Sequence, residues 1–206
     1  MTDIVEPTGV DGRTLSQRGT RTRQRVLDAA EAVFAEHGYH DASIVKITEA
    51  AGVGQGTFYL YFGSKKEVFD ELVRDLNRRV RRAMKEASSQ GKTRLEEEEL
   101  GFRAYFRFTA EHPALYRIIR QAEFVSPEML RYHYERLSSG YVDALRTAVA
   151  NGEIADLNPE VAAWALMGMG ELTGMRWILW ERAGEMPEHV IAELRRIISC
   201  VLERPA

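Results

Sequence analysis

Cysteine is almost missing: Cys200 is the only one in 206 residues. A lone thiol makes neither an intrachain disulfide nor a cysteine zinc cage, and nothing points to an oxidising compartment. Strand signals are missing as well. No β-branched run alternates strictly with polar residues, and no Asn-Gly or Asp-Gly turn separates two apolar strands. The first nineteen residues are polar and start acidic, without the apolar stretch of a secretory signal. Only 161–180 is long and apolar enough to suggest a bilayer span, and it carries Glu171 and Arg176. Each costs about 2.5–3.5 kcal/mol at a bilayer centre. A buried helix of a cytoplasmic protein is the expected alternative. The five histidines are scattered, and Glu-x-x-His, Gly-x-Ser-x-Gly and phosphate-loop patterns are absent. No catalytic residue, metal site or cofactor is therefore expected.

What is present is globular: 45% hydrophobic and 29% charged residues, with enough length for an unstapled core. The net charge of −3 would argue against a nucleic-acid partner, but it hides a division. Residues 13–92 carry fifteen Lys/Arg against ten Asp/Glu, and residues 93–206 carry thirteen against eighteen. Asp3, Glu6 and Asp11 precede both. A basic front and an acidic back imply two tasks in one chain.

Apolar residues recur at helical spacing nearly throughout. Nine helices are expected, over 22–37, 44–51, 55–61, 64–87, 94–111, 113–124, 126–150, 159–182 and 187–202. Gly38, Gly52 and Gly63 act as stops, and Ser43 is an N-cap type. Ser64-Lys65-Lys66-Glu67 reads as a capping box, with the glutamate reaching back to the serine amide. Pro113, Ser126-Pro127 and Asn158-Pro159 place proline in first turns. The chain is thus read as all-α, in three parts: a flexible arm over 1–20, a helix-turn-helix domain over 21–67, and a bundle over 68–206.

The two short helices joined through Gly52-Val53-Gly54 are too short to stand alone in water. Docked on the first helix, they form a helix-turn-helix, whose second helix meets base edges with its N-terminal residues. Those residues are Gln55, Gly56 and Thr57. Glutamine pairs bidentately with adenine, glycine allows close approach, and the hydroxyls of Thr57, Tyr59 and Tyr61 suit phosphates. Lys65 and Lys66 sit at a helix N-terminus, where dipole and charge favour an anion. Arg23 and Arg25 lead into the docking helix and are expected near phosphate; Arg13, Arg18 and Arg21 lie further out. The arginines at 74, 78, 79, 81 and 82, with Lys85, form either a solvated face or a second anion-facing surface.

The run from Ser43 to Glu67, SIVKITEAAGVGQGTFYLYFGSKKE, resembles the DNA-binding signature of the TetR family of repressors. The stretch 26–38, with Ala-Ala and Phe-Ala-Glu-His-Gly, is similar to that family's first helix. The resemblance covers residues 22–72. It implies that Ser43, Tyr59, Tyr61 and Lys65 contact DNA, that Gln55, Gly56 and Thr57 open the recognition helix, and that Phe58 packs in the core. Members usually have alanine at the position of Thr48, and often Ser-Lys-Gly where this chain has Gly54-Gln55-Gly56. The serine cap is then lost, and a lysine contact becomes a neutral amide.

The resemblance also implies that the remainder binds a ligand and dimerises through the last two long helices. Residues 161–180 are apolar almost all round, and the final helix carries a wide stripe from Val190 to Leu202, including Ile197 and Val201. Cys200 is read as buried packing. Gly168, Gly170 and Gly174 suit a close helix crossing rather than a nucleotide, since no strand precedes them. Tyr105, Phe106, Arg120, Phe124, Trp164, Met167, Glu171 and Trp177 are the candidate ligand-binding residues, drawn from a wider aromatic set that includes Tyr116 and Tyr134. His133 and Arg176 are further polar groups within these helices. The expected partners are a double-stranded DNA operator, a second copy of the chain, and a small, largely apolar or aromatic effector. A helical adaptor without DNA binding and a helical-bundle enzyme are the competing readings.

Overall fold

The computed structural model describes residues 8–181 and 184–203. Among the described residues there are nine α-helices, one π-helical stretch and no strand. They run α1 (Gln17–Asp41), α2 (Ile44–Ala51), α3 (Gln55–Tyr59), α4 (Lys65–Ser88), α5 (Arg94–Glu111), α6 (Ala114–Val125), α7 (Pro127–Ala150), α8 (Pro159–Gly174), the π stretch Met175–Trp180, and α9 (Glu188–Leu202). No helix among them is long and apolar enough to cross a membrane.

Several helix ends are set by the expected devices. Ser43 accepts the Lys46 amide, and Asn158 accepts those of Glu160 and Val161. Three differ. α1 starts at Gln17 because Ser16 accepts the Gly19 amide at 3.2 Å, so residues 17–20 are helical rather than part of an arm. Residues 1–7 of that arm lie outside the described residues. At α4, Ser64 caps the Glu67 amide, but Glu67 returns to the Gly63 amide at 2.7 Å instead of that of Ser64. α8 gives way at Gly174 to the π stretch, a feature no spacing rule predicted.

The chain divides into two compact units, 1–75 with 117–130, and 76–116 with 131–206. In the first, α1 presents Val26, Leu27, Ala30, Val33 and Phe34 to α2, which answers with Ile47. Phe58, Phe62, Phe69 and Leu72 complete this core. Phe34 meets Phe69 edge-on at 5.4 Å, and Tyr39 does so at 5.2 Å. Fully burying each such side chain contributes about 1.5–3 kcal/mol, which is what holds the short α2 and α3.

In the second unit, α5 packs on α8, the π stretch and α9. Its core includes Phe102, Phe106, Leu145, Ala163, Leu166, Ile191, Leu194 and Ile198. Gly170 allows the crossing: a Cβ there would lie 3.0 Å from the Phe102 ring. Two polar clusters are buried. Glu98 takes Arg94 and the Tyr141 hydroxyl. Burial pushes its carboxyl up, against the pull of the Arg94 guanidinium. Asn77 donates from one amide nitrogen to His133 Nδ1 at 3.1 Å and to the His133 carbonyl at 2.9 Å. The outer side of this unit keeps Val161, Trp164, Leu172, Trp180, Ile197 and Val201 exposed. Cys200 is exposed beside them, contrary to the expectation of a packed thiol, because the buried stripe of α9 passes through Ile191, Leu194, Ile198 and Leu202.

Candidate functional site

The α2–α3 turn depends on Gly52, which takes the left-handed conformation at φ 63° and ψ 41°. Side chains other than glycine rarely adopt it without cost. The turn closes with the Val53 amide donating to the Thr48 carbonyl at 3.0 Å. Thr48 is buried, and its hydroxyl donates to the Val45 carbonyl at 2.9 Å, so threonine fits in place of the family's alanine. Phe58 is fully buried and anchors α3 from beneath.

Above that anchor, Gln55, Gly56 and Tyr59 are exposed, with Ser43, Thr57 and Tyr61 partly so. Gly54 has φ −74°, and a Cβ at either Gly54 or Gly56 would meet nothing within 4 Å. Neither backbone strain at Gly54 nor packing at either position calls for glycine. The bareness of this helix start faces outward. Arg25 is exposed on α1, and Lys46, not singled out from sequence, lies exposed on α2.

Three expected contacts are committed elsewhere. The Arg23 guanidinium pairs with Glu71 at 3.3 Å and lies over the Phe62 ring at 4.9 Å. The Lys65 ammonium donates to the carbonyls of Tyr39 at 2.7 Å and Ala42 at 2.9 Å, and rests on the Tyr39 ring. It therefore closes the end of α1, whose last carbonyls lack helical partners. Lys66 donates to Asp70 and Glu128, both at 2.8 Å, and to the Ser126 hydroxyl at 3.0 Å. Asp70 and then Glu128 hold its ammonium above the ordinary lysine range. These partners lie too far along the chain for any local pattern to reveal them, apart from Asp70.

On the later helices, Arg79 meets His112 Nε2 at 2.9 Å and lies over Phe108, and Arg82 pairs with Glu86. The candidate ligand residues divide. Tyr105, Phe106, Trp164, Met167, Glu171 and Trp177 belong to the second unit. Phe106 is fully buried core. Arg120 and Phe124 belong to the first unit, where Arg120 is exposed and Phe124 is 81% exposed. Glu171 accepts from the Tyr134 hydroxyl on both oxygens, at 2.8 and 2.9 Å, and Tyr134 lies against Trp164 at 6.1 Å. Tyr105 stands perpendicular to Tyr116 at 6.3 Å. Tyr116 and Tyr134, which helical spacing places only among the core aromatics, thus lie beside Tyr105 and Trp164. Gly174, which makes room for the Tyr116 hydroxyl, is the signal that could have found the first.

A short helix held on an apolar base, a left-handed glycine turn, and a second helix with a bare, exposed start form a helix-turn-helix. Residues 26–72 match the model of the bacterial regulatory proteins of the tetR family. That match lies over the three elements just described, and the relatives that share it are transcriptional regulators. It is 43% identical over 68 residues to YdgC of Bacillus subtilis, an uncharacterised HTH-type transcriptional regulator, over 33% of this chain and 35% of that one. It spans only about a third of that relative's length. Against the fatty acid metabolism regulator protein of Bacillus subtilis it is 29% identical over 161 residues, or 75% of this chain and 82% of that one. Among solved structures, FadR from Bacillus subtilis in complex with stearoyl-CoA superposes with a TM-score of 0.75 at 23% identity, over 85% of this chain and 96% of that one. Salmonella enterica GusR gives 0.77 at 26% identity, over 92% and 99%.

Proposed function

We propose that this protein is a ligand-responsive repressor that works in the cytoplasm as a homodimer on a near-palindromic operator. Its role is regulatory rather than catalytic, in keeping with its relatives. Gln55, Gly56 and Thr57 read the groove, and Arg25, Ser43, Tyr59 and Tyr61 hold phosphates. Arg23, Lys65 and Lys66 position these elements instead of touching DNA. The observation that carries this reading is the exposed start of α3, where two glycines flank Gln55 without any internal demand for them.

The exposed apolar face of α8 and α9 supports dimerisation, since patches of this kind mark interaction surfaces. Two copies related by a two-fold axis would set two recognition helices about one helical turn apart. The effector is a small, largely apolar molecule taken up in the second unit beside Tyr105, Trp164, Met167, Glu171 and Trp177. The similarity to a fatty acid metabolism regulator and to FadR with bound stearoyl-CoA supports a long-chain apolar body for it. Binding releases DNA if the effector favours the conformation with lower operator affinity.

The test is a shift assay on the DNA upstream of the protein's own gene. Wild type should retard this fragment with a steep salt dependence, and Gln55→Ala with Tyr59→Ala should abolish specific retardation. Unchanged specific affinity in that double variant would remove the assignment. Failure of wild type to bind any fragment would favour the adaptor reading.

A further inference from the structure

The second unit holds a half-buried carboxylate, Glu171, and a buried phenol, Tyr116. Glu171 accepts only the Tyr134 hydroxyl, and among the described residues no cation pairs with it. Arg176, five positions on, is engaged with Glu181 and lies 5.5 Å over the Trp177 ring. Tyr116 is 4% exposed, and its hydroxyl lacks a hydrogen-bond partner. The Tyr105 and Thr109 hydroxyls lie near it. Burial pushes both phenols above the usual tyrosine range and the negative charge of Glu171 adds to it, while the Tyr105 and Thr109 hydroxyls pull Tyr116 the other way.

The fold makes room for that unpaired hydroxyl. A Cβ at Gly174 would sit 1.9 Å from it, and the π stretch starts at the next residue. Such π segments recur at functional sites. A buried polar group without a partner is costly and asks for an explanation, and a bound ligand is one. The group here is specific in its chemistry. A carboxylate accepts only, and a phenol both accepts and donates. A donor with positive charge complements both groups. The rings of Tyr105, Tyr116, Tyr134 and Trp164 add the faces on which a cation is favoured.

We propose that the effector is an organic cation, with an ammonium head that donates to Glu171 and the Tyr116 hydroxyl and an apolar body among the surrounding rings. This rests on the reading that the effector binds in the second unit, and it names the charge of its head group.

Decylammonium, decanol and decanoate share one tail and differ in the head. Their binding to the full-length protein is read by intrinsic tryptophan fluorescence and by calorimetry. Decylammonium should bind at least tenfold tighter than the other two. Glu171→Gln should reduce that preference to within about twofold, and Tyr116→Phe should weaken decylammonium severalfold while leaving decanol unchanged, with folding checked by circular dichroism. Decanol or decanoate binding as tightly as decylammonium would overturn the cation assignment while leaving the effector site in place. So would an unaltered preference in Glu171→Gln. If none of the three binds, the effector reading falls and this inference falls with it.

Discussion

Lys66 and Glu128 are separated by 62 positions in the chain and meet at 2.8 Å. Lys66, then the backbone and Ser126, hold the Glu128 carboxyl down at about 2. A carboxyl depressed in the folded state stabilises it above the ordinary carboxylate pKa. That contribution fades as pH falls through about 2. Lys66→Met should therefore lower the melting temperature at pH 7, with a smaller loss near pH 2. Its operator salt slope should match wild type. A slope reduced by one or more would return Lys66 to the phosphate contacts.

Arg25 makes the complementary case. Removing one phosphate-bound cation reduces the slope of log K against log salt by about 0.9. Arg25→Gln should lower the slope by about 2 for a dimer, whereas Arg23→Gln should lower the melting temperature by removing a guanidinium from Glu71 and Phe62. The two variants separate cleanly in a salt titration paired with a thermal melt.

His133 is buried against Asn77, and burial depresses its pKa to about 4. The unfolded chain then binds the extra proton first. Stability is full above about 6.5 and is lost as pH falls from there toward 4, by roughly 3 kcal/mol. Denaturant titrations across this range should show the decline, and His133→Gln should flatten it. An equal decline in the variant would assign the effect to other groups.

Gly174→Ala drives a methyl group into the Tyr116 hydroxyl, 1.9 Å away before relaxation. Overpacking of this kind costs about 1–3 kcal/mol. Tyr116→Phe removes the clashing oxygen and leaves ring atoms at 3.2 and 3.3 Å. The double variant should regain most of the lost stability in a denaturant titration, which two independent destabilisations would not.

Leu172 is 63% exposed on the apolar face of α8. Leu172→Arg should shift the sedimentation profile from dimer to monomer and weaken operator binding, without lowering the helix content. A dimer of unchanged strength would place the subunit contact elsewhere.

The helices were legible because their signals are local. Ser43, Asn158-Pro159 and Gly52 act within four residues of themselves, and each does so in the structure. The exposed face of α3 was legible for the same reason: Phe58 turns inward, so Gln55, Gly56 and Tyr59 turn outward. The long-range ion pairs and hydrogen bonds were not. Arg23, Lys65 and Lys66 look from sequence like free charge beside an anion site, and their main partners are reached only once α1, α4 and the 117–130 segment have packed. Cys200 fails similarly, because three- and four-residue spacing identifies an apolar stripe but not where its edge lies. The Tyr116 hydroxyl is marked only by the glycine it requires 58 positions later.

Turns closed by bonds to the fifth residue hold more residues than α turns, so each residue advances less about the axis. Trp180 follows Leu172 by eight positions, and across an unbroken α-helix it would be carried well to one side. The slower winding from Met175 turns it back toward the side occupied by Leu172, and both remain open to solvent. The same local widening that begins beside the Tyr116 hydroxyl thus sets the azimuth of an outer tryptophan. Deleting one residue from that stretch would rotate Trp180 away from its neighbours while leaving every other helix in register.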